Sequence, residues 1–87
     1  RRERLAQARL LVARGEWDAA HAALDRLLAE GPDDAAALLL KAALLQESRS
    51  EEAALALFEQ AVALAPGSAE AWNGLARDLH ALTGARR

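Results

Sequence analysis

The sequence predicts an all-α fold, a short array of five antiparallel helices, and three observations lead to it. Ala and Leu, both strong helix formers, supply 41 of the 87 residues, whereas Ile is absent and Val and Thr are rare. Apolar residues recur at the three- and four-residue spacing of a helix face. Pro32 and Pro66 lie 34 residues apart and mark an internal repeat.

The repeat divides the chain into two full units, residues 1–34 and 35–68, and a half unit or capping helix, residues 69–87. The two full units share nine identities in 34 positions. The identical pairs are Leu5 and Leu39, Ala8 and Ala42, Leu10 and Leu44, Leu11 and Leu45, Ala19 and Ala53, Ala20 and Ala54, Ala22 and Ala56, Ala29 and Ala63, and Pro32 and Pro66. A chain of 87 residues is long enough for one modest core, so a single domain is expected.

The first unit predicts two helices that Gly15 separates. The apolar stripe of the first is Leu5, Ala8, Leu11 and Val12, and that of the second is Trp17, Ala20, Leu24, Leu27 and Leu28. Gly31 and Pro32 are expected to stop the second helix, since proline lacks the N–H that a helix interior needs. Asp34 stands at the N-cap position of a third helix that begins at Ala35.

The second unit repeats this plan. Its two stripes are Leu38, Ala42 and Leu45, then Ala54, Phe58, Ala61 and Val62. Residues 48–51, Ser-Arg-Ser-Glu, contain a capping-box pattern ahead of the fourth helix. Leu38, Leu39 and Leu40 are spread about 100° apart around the third helix, so at least one of them should face solvent or a partner.

A fifth helix is expected from Ala69 to about Leu82, with Ser68 as its cap and Thr83-Gly84 as its end. Its predicted apolar side is Trp72, Leu75, Ala76, Leu79 and Leu82, and its predicted exposed face carries Arg77, Asp78 and His80. Either Trp17 or Trp72 could serve as a platform on which a ligand stacks, but both lie on apolar stripes and are expected to pack in the core, with Phe58 as its aromatic centre.

Composition excludes several classes of function. The formal net charge of −2 predicts no nucleic-acid partner. The longest apolar run, residues 35–40, predicts no membrane insertion and hence a soluble protein, with the cytoplasm favoured over the periplasm. Cysteine is absent, which removes disulfides and thiolate chemistry. The lack of Met and the uncapped Arg1, Arg2 and Arg4 predict that residues precede this chain.

No enzyme, cofactor or metal site is predicted. Asp18, His21 and Asp25 share a helix face and have the spacing to hold a divalent metal, but a solvated face with local ion pairing is favoured. Glu51 and Glu52 are explained by the positive end of their helix rather than by acid–base work.

These helix pairs resemble the tetratricopeptide repeat, a 34-residue helix–turn–helix unit. The third unit carries Trp72, Leu75, Ala76 and Leu79 at the positions of the family's W-x2-L-G/A-x2-Y pattern. The second unit matches at Leu38, Ala42, Leu45, Ala54, Phe58, Ala61 and Pro66, and the first at Ala8, Leu11, Ala20, Leu24, Leu27 and Pro32. Arg4 and Gln7 depart from the pattern, which indicates a partly uncovered first helix.

The resemblance implies a concave groove that the first helix of each unit lines. Carried over to this chain, the groove residues are Leu5, Arg9, Val12, Leu39, Leu40, Ala43, Gln46, Glu47, Asn73, Arg77 and His80. Some members grip a partner's terminal carboxylate with Lys, Asn and Arg at five groove positions. Here those positions hold Leu5, Arg9, Leu40, Glu70 and Gly74, so this type of recognition is rejected.

A non-catalytic scaffold that binds an amphipathic helix or an apolar peptide in this groove is therefore the preferred hypothesis. Three alternatives stay open. In the first, Leu39 and Leu40 pack only against neighbouring helices of a longer array. In the second, the chain assembles with itself into a dimer or oligomer. In the third, it is an accessory domain of a larger enzyme.

Overall fold

A computed structural model describes residues 2–31 and 33–85. Its helices are α1 (Arg2–Ala13), α2 (Trp17–Glu30), α3 (Ala35–Glu47), α4 (Glu51–Leu64) and α5 (Ala69–Ala85). The all-α prediction is confirmed, with five helices in the expected order. Pro32, the predicted stop of α2, and Arg1, Arg86 and Arg87 lie outside the described residues, and the unit boundaries at residues 34 and 68 stay a prediction.

The helices form two layers. Each helix packs against the next along the chain, and α3 also contacts both α1 and α5. Within the described residues α2 and α4 do not contact each other. The helices α1, α3 and α5 therefore lie side by side in one layer, with α2 and α4 spread apart on the other. We call the α1–α3–α5 layer the inner layer, because its helices contact one another whereas the described residues of α2 and α4 do not.

Two of the predicted caps are confirmed. The Asp34 carboxylate accepts a hydrogen bond from the Ala37 N–H, and the Ser68 hydroxyl accepts one from the Ala71 N–H, each at 3.2 Å. Such bonds satisfy amides that the first turn of a helix leaves free. Both inner helices α3 and α5 thus begin at the residue that the sequence indicates.

The predicted capping box between residues 48 and 51 is wrong. The Ser48 hydroxyl instead donates back to the carbonyls of Leu44 and Leu45, at the end of α3. In the described part of the chain, the Ser50 side chain makes no cap hydrogen bond. The first turn of α4 relies on Glu51 and Glu52, whose charges complement the positive end of the helix dipole.

The turns that join the two helices of each unit share a left-handed residue. Gly15 has a φ of 77°, and Arg49, exactly one repeat later, has a φ of 61°. Glycine adopts this conformation without steric cost, whereas a side chain raises the energy by about 1–2 kcal/mol. The backbone of the turn is therefore conserved between the two units although its residue is not.

The helix α5 continues beyond its predicted end. It runs through Thr83 and Gly84 to Ala85, and the Thr83 hydroxyl donates to the Leu79 carbonyl at 2.8 Å. Thr83 therefore does not interrupt the helix, because its hydroxyl is satisfied by a hydrogen bond within α5.

The core consists of two clusters that α3 joins. The first cluster, between α1, α2 and α3, is Ala8, Ala20, Leu24, Leu27, Ala37 and Leu44. The second cluster, between α3, α4 and α5, is Leu38, Leu39, Ala42, Ala54, Phe58, Ala61 and Ala71. Phe58 is 3% exposed, which confirms it as the aromatic centre.

The buried face of α5 differs from the prediction. Ala71, Gly74 and Asp78 face the core, whereas Trp72 is 49% and Leu79 46% exposed. Asp78, expected on the exposed face, is fully buried. The reason is that α5 contacts α3 and α4 from one side, through small residues against the Phe58 ring.

Both tryptophans are more exposed than expected for core residues. Trp17 is 46% exposed at the start of α2. The Trp72 indole N–H donates to the Pro66 carbonyl at 2.7 Å, which fixes the ring on the surface beside the turn that precedes α5. Neither ring lies inside a core cluster, so the prediction that they pack in the core is wrong.

Candidate functional site

A depression on the inner layer brings together residues of α1, α3 and α5. We call it the inner depression; its volume is about 290 Å³ and its lining is Arg9, Ala35, Ala36, Leu39, Leu40, Ala43, Ala65, Ser68 and Glu70. Four of these residues, Arg9, Leu39, Leu40 and Ala43, belong to the groove set inferred from the sequence. The depression lies where a groove between three parallel inner helices is expected.

Its floor depends on three consecutive leucines of α3. Leu38 and Leu39 belong to the second core cluster, and Leu39 keeps only 9% of its surface exposed. Leu40 is half-buried and packs against the first cluster. Leu39 is thus chiefly a packing residue whose edge reaches the depression, and Leu40 with the exposed Ala43 offers the accessible apolar surface.

The walls of the inner depression carry opposite charges. Arg9 contributes a guanidinium from α1, and Glu70 contributes a carboxylate from the first turn of α5. The ion pairs that the described residues form, Arg4 with Glu30 and Lys41 with Asp25, involve other side chains. An apolar floor between a cationic and an anionic wall favours an elongated ligand with an apolar face.

The other residues of the inferred groove have different surroundings. Leu5 and Val12 are half-buried against the first core cluster. Asn73, Arg77 and His80 are exposed on α5. Glu47 lines a separate cavity with Trp17, Asp18 and His21. The structure therefore brings Arg9, Leu39, Leu40 and Ala43 of the inferred groove to one depression, and the other members of the set do not line it.

Gln46, a further residue of the inferred groove, ties two inner helices together. Its side-chain N–H groups donate to the Gly74 carbonyl and to Asp78 Oδ1, both at 3.4 Å. The other oxygen of Asp78, Oδ2, has no hydrogen-bond partner among the described residues. Burial raises the pKa of the Asp78 carboxyl, the nearby charge of Glu51 adds to this, and the Gln46 hydrogen bond opposes it.

The arrangement of the acidic and histidine side chains and the hydropathy of the helices bear on metal ligation and on membrane insertion. Residues 2–31 and 33–85 hold no group of three or more His, Asp or Glu side chains arranged around a common point. Asp25 of the metal candidate instead pairs with Lys41 of α3, while Asp18 and His21 face another cavity. A helix with the length and hydropathy needed to span a bilayer does not occur in the same ranges.

Sequence reasoning missed the cavity around Trp17. The sequence does contain a signal for this cavity, because the residue one repeat after Trp17 is Glu51. The packing of the repeat therefore does not require an aromatic ring at that position.

The fold and the inner depression define a helical repeat module, and family comparison identifies it. A model described as tetratricopeptide repeat matches residues 5–69 and 43–82, so the chain belongs to the tetratricopeptide repeat family. Domains of this family are typically non-catalytic and generally mediate protein–protein interaction, and the match indicates no catalytic family. Searches of curated proteins and of solved structures gave no significant match.

Proposed function

We propose that this domain binds an amphipathic helix or a short apolar peptide along its inner layer. The observation that carries the proposal is the inner depression, in which Leu40 and Ala43 stay accessible between side chains of α1 and α5. A helix laid in such a groove makes contact through residues one turn apart, and burial of apolar surface supplies most of the affinity.

The charged walls set the orientation of this ligand. Arg9 favours acidic residues on the side of α1, and Glu70 favours basic residues on the side of α5. Rim charges of this kind affect the rate and the direction of binding more than its strength. The expected partner is therefore an apolar helix face that is flanked by acidic residues on one side and basic residues on the other.

A synthetic amphipathic peptide with this charge pattern is expected to bind the 87-residue chain and to shift the NMR signals of Leu40 and Ala43. Ala43→Glu should weaken the binding by about tenfold or more, because the carboxylate is left against apolar surface in the complex. Calorimetry of the same titration measures the change in affinity.

Ala56→Glu on α4 is the matched control, since Ala56 is also exposed and lies in the other layer. It should leave the affinity unchanged. A peptide of the same composition without an apolar face should not bind. Equal binding of the two peptides, or equal losses in the two variants, would contradict the proposal.

Self-association is a second candidate, and an exposed apolar face of α5 favours it. Trp72, Ala76 and Leu79 lie one repeat after Leu38, Ala42 and Leu45, which pack in the second core cluster with α4. In α5 these three positions are exposed. An apolar face that a helix covers in one unit and that lies open in the next is suited to contact between two copies.

On this account, the mass measured by light scattering should rise with protein concentration toward that of a dimer. Combining Trp72→Gln with Leu79→Gln should return it to the monomer mass at every concentration, because both side chains lose their apolar contact area. Trp17→Gln removes an equally exposed indole from another surface and should leave the dimer intact. A constant monomer mass of the unaltered chain would exclude this candidate.

A further inference from the structure

A second cavity lies away from the inner depression, between the start of α2 and the end of α3. Its volume is about 360 Å³, and it is lined by Trp17, Asp18, His21, Leu44, Glu47 and Ser48. Ligand pockets in proteins span about 300–1,000 Å³, so this cavity has room for a small group such as one side chain of a partner. None of its lining residues belongs to the inner depression.

The aromatic wall of this cavity is not required by the fold. Trp17 is 46% exposed, and the equivalent position of the second unit is occupied by Glu51. Leu44 beneath it is 2% exposed and belongs to the first core cluster, which gives the cavity a rigid base. A large indole ring is thus held at a surface cavity with much of its surface free.

The charges around the cavity favour a cation. Asp18 and Glu47 are both exposed at its rim, and the two ion pairs found in the described part of the chain use neither of them. The charge of Asp18 is partly offset by the positive end of the α2 dipole. Glu47 has no such offset, because it ends α3, where the dipole is itself negative.

An aromatic face beside carboxylates matches the chemistry of a guanidinium group. Such a group stacks on an indole ring through its plane and donates hydrogen bonds to carboxylates from its edge. We propose that this cavity is a second binding site, which takes an arginine side chain of a partner polypeptide. The partner would then contact the domain at the edge between α2 and α3, apart from the inner depression.

The test is an NMR titration of the 87-residue chain with N-acetyl-arginine amide. The indole N–H signal of Trp17 should shift and reach saturation, and that of Trp72 should not, so the second tryptophan is a control within the same molecule. N-acetyl-citrulline amide, which is neutral and nearly the same shape, should produce no saturable shift. The lysine analogue should bind more weakly than the arginine probe, because an ammonium group lacks the planar stacking surface.

Charge variants separate specific recognition from general attraction. Glu47→Gln should weaken the binding of the arginine probe by about twofold to fivefold, and Trp17→Ala should weaken it by at least as much. In Trp17→Ala the binding is followed by the Glu47 amide signal. Glu52→Gln is the matched control, because it removes the same charge one repeat after Asp18 and outside this cavity. Equal binding of the citrulline probe, or an equal loss in Glu47→Gln and Glu52→Gln, would overturn the proposal.

Discussion

Gly74→Ala is expected to lower the free energy of unfolding by about 1–3 kcal/mol, although alanine is the better helix former. Gly74 lies inside α5 and is buried against the second core cluster. A Cβ at this position would lie 2.8 Å from Phe58 Cζ and 2.9 Å from Cδ1. Real carbon contacts do not become this short, so the ring or α5 has to move.

The Phe58 ring has little room to move, because it is 3% exposed and packed among Leu38, Ala54 and Ala61. The helix propensity of alanine offsets about 1 kcal/mol of the cost. Because α5 also makes the Gln46 hydrogen bond through the Gly74 carbonyl, a shift of α5 should weaken the contact between α3 and α5. Chemical denaturation followed by circular dichroism measures the loss.

Gly84→Ala provides the matched control in the same helix. Among the described residues, no heavy atom beyond the local backbone of α5 lies within 4 Å of the position that a Cβ would take at Gly84, so this variant should be neutral or slightly stabilising. Combining Gly74→Ala with Phe58→Leu should cost less than the sum of the two single changes, because a smaller side chain relieves the overlap. Strict additivity of the two changes would show that the two residues do not meet.

Asp78→Asn is expected to raise the free energy of unfolding at pH 7 by about 1 kcal/mol. The Asp78 carboxyl is fully buried, accepts one long hydrogen bond from Gln46, and leaves Oδ2 without a partner among the described residues. Asparagine has almost the same shape, keeps an oxygen for Gln46 and carries no charge. The substitution therefore removes a desolvated charge without creating a void.

The pH dependence follows from the direction of the pKa shift. Burial raises the pKa of Asp78 in the folded state above its ordinary value of about 3.9, so the folded chain holds the proton more tightly than the unfolded chain. The contribution of this group to stability is complete below the unfolded pKa and is lost as the pH rises through the folded pKa. Stability measured against pH should therefore favour Asp78→Asn increasingly as the pH rises above about 4, and the difference should level off once the pH has passed the raised folded-state pKa.

The comparison is made as a difference between the two chains, since other carboxylates titrate in both. Asp33→Asn, which changes an exposed aspartate, is the control variant. A stability difference that does not change with pH, or a loss of stability in Asp78→Asn, would mean that the buried carboxylate is stabilised by contacts beyond the Gln46 hydrogen bond.

Much of the architecture follows from the sequence alone. The sequence predicts the helix count, the caps at Asp34 and Ser68 and the membership of a repeat family. Caps and apolar periodicity are local, because they depend on residues within one or two turns of each other. The 34-residue period then indicates how successive helices stack.

The tertiary structure alone decided which faces the terminal helix buries and which residues form sites. The same repeat positions are covered on α3, which has helices on both sides, and are open on α5, whose contacts with α3 and α4 come from one side. This rotation of the buried face placed Asp78 inside and Trp72 outside. Gln46 likewise packs against α5 through its hydrogen bond to the Gly74 carbonyl, and Glu47 lies at a different cavity. Burial depends on which neighbours a helix has, and a helix's own pattern of residues does not specify them.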